Sequence, residues 1–142
     1  LDGITDPHNL GSILRSAVFF GVAGVVIPKW RAASVTSTVL RSSAGAARLI
    51  PVSQVANLGT AMEVAKKEGF WIIGADMDGI DVRTADVPRP FALVLGSEGE
   101  GLHDLVKKKC DMVASIPRSP SGRGIESLNV GVAGGILLSA LS

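Results

Sequence analysis

Tyrosine is absent from the 142 residues, and two tryptophans and four phenylalanines are the only aromatics. Base-stacking platforms of the RNA-binding kind are therefore not expected. The single cysteine, Cys110, excludes an internal disulfide and suits a cytoplasmic or otherwise reducing compartment. It reads as a small structural residue rather than a nucleophile. Only two histidines occur, His8 and His103, far apart and without a cysteine partner, so no zinc spacing exists and each reads as a surface or capping residue. No apolar run approaches the roughly 20 residues of a membrane span, and nothing resembles a signal peptide. The formal net charge of +1 neither demands nor excludes a nucleic-acid surface, because a local basic patch can hide behind a balanced total.

What is present is 46% hydrophobic residues with 17 glycines and 7 prolines, the make-up of one globular domain rather than a disordered or fibrous chain. The chain opens at Leu1-Asp2-Gly3 without methionine and ends within an apolar helix pattern, so it reads as part of something longer. Short apolar runs alternate with helix-like stretches, which predicts an α/β domain with a mostly parallel sheet. Strands are expected at Gly24–Ile27, Leu49–Val52, Trp71–Ala75, Phe91–Leu95 and Met112–Ile116.

Leu10, Ile13, Leu14, Ala17 and Val18 form the stripe of one helix, with Asn9 placed to cap its start and Gly21 to end it. Arg15 projects away from that stripe. A second helix uses Leu58, Ala61, Met62 and Ala65 and stops at Gly69. The last, from about Leu128 to Leu141, is apolar almost all round and must be covered on most sides, for which a partner subunit is a natural solution.

Three segments are richer in polar residues and glycine than packing requires: Asp2–Ala17, Leu95–Leu102 and Ile116–Val130. The latter two follow expected strands, where α/β sheets bind ligands. The order of Gly96, Gly99 and Gly101 is wrong for a dinucleotide fingerprint. Leu102-His103 replaces the Lys and Ser/Thr of a phosphate loop, and no nucleophile elbow is present. Asp76, Asp78 and Asp81 lack the glutamate that closes a calcium loop and read as a solvated loop. Lys107-Lys108-Lys109 reads as a solvated helix end. Taken residue by residue, the chain is a soluble α/β domain with a ligand loop after the fifth strand.

Taken together and in order, Asp6-Pro7-His8-Asn9-Leu10-Gly11-Ser12-Ile13-Leu14-Arg15-Ser16-Ala17, Leu95-Gly96-Ser97-Glu98-Gly99-Glu100-Gly101-Leu102, and Ile116-Pro117 with Ser127-Leu128-Asn129-Val130 resemble three signature motifs. These are the motifs of the SpoU (TrmH-like) RNA ribose methyltransferases of the SPOUT superfamily. Arg41-Ser42-Ser43-Ala44-Gly45-Ala46 is also similar to a family segment, and the resemblance covers essentially the whole chain.

The resemblance implies a C-terminal deep trefoil knot and a homodimer joined through the knotted region and first helix. It also implies S-adenosylmethionine bound in the knot loops, and methyl transfer to a ribose 2′-hydroxyl, with a guanosine of ribosomal RNA as first expectation and transfer RNA as the variant. Leu95, Gly96, Gly101, Ile116 and Leu128 would then line the cofactor pocket. Arg15 would act on the hydroxyl, with Asn9, Glu98, Ser127 and Asn129 completing the site. Arg118 and Arg123, on a loop longer than in many relatives, and Arg41 would contact RNA with Arg15. No metal is implied, and residues 1–142 would be the catalytic domain without the family's usual upstream RNA-recognition domain. A non-catalytic binding module is the rival reading, and an oxidoreductase lacks its fingerprint.

Overall fold

A computed structural model, which describes residues 1–142, has five α-helices and five strands that alternate except where β4 follows β3 directly. The chain runs α1 (Pro7–Phe19), β1 (Val25–Pro28), α2 (Ser37–Ser42), β2 (Val52–Val55), α3 (Leu58–Lys67), β3 (Trp71–Asp81), β4 (Phe91–Val94), α4 (Asp104–Lys109), β5 (Met112–Ser115) and α5 (Val130–Leu141). Every pairing between strands is parallel, β1 with β2 and β3 with both β4 and β5. The opening residues Leu1–Ile4 join the two groups. The Leu1 amine donates to the Val26 carbonyl (2.8 Å), and Asp2 N–H to the Leu95 carbonyl (2.7 Å), in parallel register with Gly96. The carboxyl ends of the strands thus gather at one edge.

Side chains alternate across a strand, so a sheet covered on both faces sends neighbouring apolar residues to opposite cores. Ile73 and Leu95 join the larger core, with Leu10, Ile13, Leu14 and Ala17 of α1 and Leu137, Leu138 and Leu141 of α5. Ile72 and Val94 join the smaller one, with Met62 of α3, Val106 of α4 and Leu102. On the first face α1 packs against both α2 and α5; on the second α3 packs against α4.

Several boundaries differ from the sequence expectation. Asp6, not Asn9, caps α1: its carboxylate accepts from His8 N–H at 2.8 Å, and Pro7 follows at the first helical position, where its fixed φ suits the helix. Leu49 and Ile50 finish a short 3-10 turn (Ala46–Arg48), so the second strand begins at Val52. Asp76–Asp81 is not a loop but the outer half of β3, which reaches Ser115 past an irregularity between Ala75 and Ile80. The last helix starts at Val130, because Leu128 lies before its cap. Two short helices, α2 and α4, carry too little periodicity to be read, although the lysine run is a helix end as expected. Gly21 and Gly69 adopt positive φ just past the ends of α1 and α3.

Candidate functional site

Three chain segments converge at the carboxyl edge: the start of α1, the loop after β4 and the start of α5. The loop after β4 is a closed turn. Ser97 and Gly101 exchange two backbone hydrogen bonds of 3.0 Å, and Gly99 and Gly101 take positive φ. Gly96 lies so close to Gly101 and Leu102 that a Cβ there would overlap their backbone. The far end of the turn is pinned by Asp2, a buried carboxylate. Its Oδ2 accepts from His103 N–H (2.7 Å) and its Oδ1 lies 2.8 Å from His103 Nδ1. Asp2 lies in a polar segment of the sequence that carries no sign of this role, since composition does not distinguish a buried carboxylate from a solvated one.

One chain of side-chain hydrogen bonds ties the three segments. Asn9 Nδ2 donates to Glu98 Oε1 (2.9 Å), and Asn129 Nδ2 donates to Asn9 Oδ1 (2.8 Å). Asn129 Oδ1 accepts from Gly131 and Val132 N–H (2.9 and 3.2 Å), capping α5. The direction is fixed from both ends. Helix N–H groups can only donate, and an ionised carboxylate can only accept, so both amides must point the same way. Glu98 is held ionised. Partial burial works against the charge, but hydrogen bonds from Asn9, from its own N–H and from the N–H groups of Asp6 and Thr5 outweigh it and lower its pKa. Asn129→Ala removes the cap and leaves the buried Asn9 carbonyl without its donor. A loss of about 0.5–2 kcal/mol, hence about 2–8 °C in Tm, is expected by circular dichroism. An unchanged melting point would show that the cap contributes nothing.

The remaining expected site residues divide into two groups. Leu95 and Ile116 directly follow β4 and β5, the strands on either side of β3, and Gly96 follows Leu95 and packs on Gly101. Ser127 and Leu128 are exposed, on a stretch (residues 123–128) that makes no backbone–backbone hydrogen bond. Arg118 Nη1 donates to the Ile125 carbonyl (3.0 Å) and so braces that loop, whereas Arg123 is exposed and makes no ion pair.

Arg15 is not brought to Asn9, Glu98 and Asn129. Six residues along α1 place it about 9 Å further down the axis. There it lines a shallow depression of about 190 Å³ with Ser12, Ser16, Phe19 and Phe20. Arg41 stands apart on α2, its guanidinium 3.4 Å from Thr38 Oγ1. Lys107 and Lys109 are engaged by Asp76 (3.1 Å) and Glu63 (2.9 Å). Burial pushes the Cys110 thiol up to about 11, as befits a structural residue. No three His, Cys, Asp or Glu side chains converge as a metal site would require.

Known proteins resemble this chain in sequence and fold. Residues 1–139 match the model of the SpoU rRNA Methylase family. A 23S rRNA (guanosine-2'-O-)-methyltransferase of Coxiella burnetii is 47% identical over 97% of the chain and 54% of its own length. A putative TrmH family tRNA/rRNA methyltransferase of Bacillus subtilis is 46% identical, over 97% and 55%. The chain thus spans about half the length of the curated relatives it matches. Among solved structures, the SpoU methyltransferase AviRb of Streptomyces viridochromogenes, in complex with the cofactor AdoMet, superposes with a TM-score of 0.88. The match is 30% identical and covers 98% of this chain and 54% of that one. With its three motifs joined by hydrogen bonds at one edge of a parallel sheet, the chain belongs to the SpoU rRNA methylase family.

Proposed function

We propose that this domain transfers a methyl group from S-adenosylmethionine to a ribose 2′-hydroxyl of RNA, a guanosine of ribosomal RNA being the favoured target. The observation that carries the reading is the chain Glu98–Asn9–Asn129, which draws two loops at the carboxyl edge onto the start of α1. Those loops suit the cofactor. Residues 123–128 offer backbone groups that, apart from the Ile125 carbonyl held by Arg118, are unpaired, together with the exposed apolar side chains of Ile125 and Leu128, a chemistry that fits a flat heterocycle. Leu95, Gly96, Gly101, Ile116 and Leu128 would hold it. When bound, S-adenosylmethionine supplies an electrophilic methyl group on a sulfonium.

The protein's part is to prepare the hydroxyl. Arginine stays protonated, so Arg15 is no general base. It orients the hydroxyl and stabilises the negative charge that develops as its proton passes to an oxygen of the target phosphate or to water, with Ser127 assisting, while the new O–CH3 bond replaces the S–CH3 bond and S-adenosylhomocysteine leaves. Asn9, Glu98 and Asn129 keep the loops in place around it. Arg41, Arg118 and Arg123 face the RNA.

The finer fold is part of the same reading: β3, β4, β5 and α5 form a deep trefoil knot. The spatial order β4-β3-β5 and the return of residues 116–129 to α1 support it. Two copies pair through α1 and α5. Supporting this, Phe19 is 81% exposed, Val132 52% and Ile136 40%, an apolar surface that a monomer leaves in water. Ile136→Glu should therefore yield monomers in analytical ultracentrifugation. A dimer that survives the change would place the interface elsewhere. No helix is long and apolar enough to cross a membrane, and we place the enzyme in the cytoplasm.

The test is calorimetric titration with S-adenosylhomocysteine, followed by transfer of labelled methyl to ribosomal RNA. Binding at one site per chain, on the order of micromolar, and label on a ribose are the expected results. A folded protein that binds no S-adenosylhomocysteine would leave the non-catalytic module as the better account.

A further inference from the structure

The charges are not spread evenly. Between Asp6 and Glu63 there is no carboxylate side chain, while Arg15, Lys29, Arg31, Arg41 and Arg48 lie in that interval. The rest of the chain carries nine cations against thirteen carboxylates. The α1-to-β2 half is therefore uniformly positive, although the whole is nearly neutral. All five of its cations are exposed and none forms an ion pair.

At the carboxyl edge of this half stands Trp30, 71% exposed, between exposed Lys29 and Arg31. Both ends of its loop are fixed. Lys29 N–H donates to the Val55 carbonyl (2.9 Å), and Ala33 N–H to the Ile4 carbonyl (2.7 Å). Ile4 leads directly into Thr5 and Asp6, whose N–H groups help hold Glu98. The indole is thus carried on the edge that bears the site. Trp71, by contrast, opens β3 at the opposite edge. An indole kept in water costs hydrophobic free energy, and Arg31 beside it holds a left-handed φ of 55°, uncommon without glycine.

We propose that Trp30 is a stacking platform for an unpaired base of the substrate RNA, with Lys29 and Arg31 on the flanking phosphates. This rests on the RNA-methylation reading and adds to it the element that positions the target strand. A scarcity of aromatics argues against a platform of several rings. A single indole with cations on both sides is enough to hold one base, because every base presents a π-face and stacking on an aromatic side chain is worth about 1–3 kcal/mol. A phosphate-only surface would have no use for the indole. An unpaired base is favoured over a protein partner because every charged side chain of the surrounding half is cationic and the only other large apolar side chain exposed on the loop is Val35, which presents no ring.

With only two tryptophans, the proposal can be read optically. In a Trp71→Phe protein, Trp30 is the sole indole, and an RNA hairpin with unpaired guanosines in its loop should quench its emission. The same sequence closed into a perfect duplex should not. If Trp71→Phe does not fold, the difference between wild type and Trp30→Phe gives the same signal. Trp30→Ala should weaken hairpin binding by about 5- to 100-fold, and Trp30→Phe should retain most of the affinity. Binding of S-adenosylhomocysteine should be unchanged in both. Hairpin binding that is indifferent to Trp30→Ala, or equal quenching by the duplex, would overturn the platform and leave the methylation reading intact. Quenching by the hairpin with no methyl transfer to any RNA would do the reverse. A wild-type protein that binds no RNA would overturn both.

Discussion

Arg15→Ala is expected to lower methyl transfer by about 10²- to 10⁴-fold while S-adenosylhomocysteine binds as in the wild type. The side chain is exposed on the outer face of α1 and has no acidic partner, so a salt-bridging role is unavailable to it. Nor does it reach the Glu98–Asn9–Asn129 chain or the loops proposed to hold the cofactor, which is why cofactor affinity should survive its loss. What it offers is a permanent, delocalised positive charge beside two hydroxyls, Ser12 and Ser16, in a shallow depression open to a large substrate. Such a group cannot take the proton of a ribose hydroxyl. It can hold that hydroxyl, or the neighbouring phosphate, where the developing charge is stabilised. Arg15→Lys separates the two contributions. A point charge without the planar fork should recover part of the rate if electrostatics dominates, and little of it if geometry does. Single-turnover transfer and calorimetry on the same preparations decide the matter, and wild-type turnover in Arg15→Ala would remove the residue from the mechanism.

How far the sequence reaches is clearest in α1. Its buried stripe and its glycine stop were legible, because a 3.6-residue period and a left-handed terminus leave a direct mark on residue choice. Its cap is not legible in the same way. Asp6 and Asn9 are both good capping residues, and only Pro7 between them indicated which one starts the helix. Asn9 is instead buried and spends its amide on Glu98 and Asn129, 89 and 120 residues away in the chain. No local pattern encodes such a pairing. The motifs were visible one by one; that they are joined by a directed chain of amides is a tertiary fact. The long β3 was cut short for a similar reason. Asp76 and Asp78 look like loop residues, and they are accommodated in a strand because Lys107 of α4 lies over them (3.1 and 3.9 Å). The exposed indole of Trp30 was likewise invisible, since a lone tryptophan in a sequence is more often core than surface.

Gly96→Ala is expected to weaken S-adenosylhomocysteine binding by about 10- to 100-fold, whereas Gly99→Ala in the same turn should change it little. The two glycines are required, or not, for different reasons. Gly99 has a positive φ of 87°, but a Cβ there would meet nothing within 4 Å. Its replacement is a matter of backbone strain alone, of about 1 kcal/mol, on an exposed loop tip. Gly96 is not among the positive-φ glycines, so its conformation is open to other residues; what it lacks is room. A methyl group there would overlap the carbonyl of Gly101 and the amide of Leu102, which are backbone atoms and cannot rotate aside. Relief would require the turn to open. Opening it would break the paired 3.0 Å hydrogen bonds between Ser97 and Gly101 and draw Leu102 out of the smaller core. It would also displace Glu98, and with it the acceptor at the end of the Asn9–Asn129 chain. Overpacking of this kind costs about 1–3 kcal/mol, the source of the 10- to 100-fold estimate. Calorimetry on both variants, after circular dichroism has shown them folded, distinguishes the cases. Equal, wild-type affinities would mean that the turn after β4 does not form a wall of the cofactor pocket; loss in Gly96→Ala alone would assign that wall to the closed form of the turn.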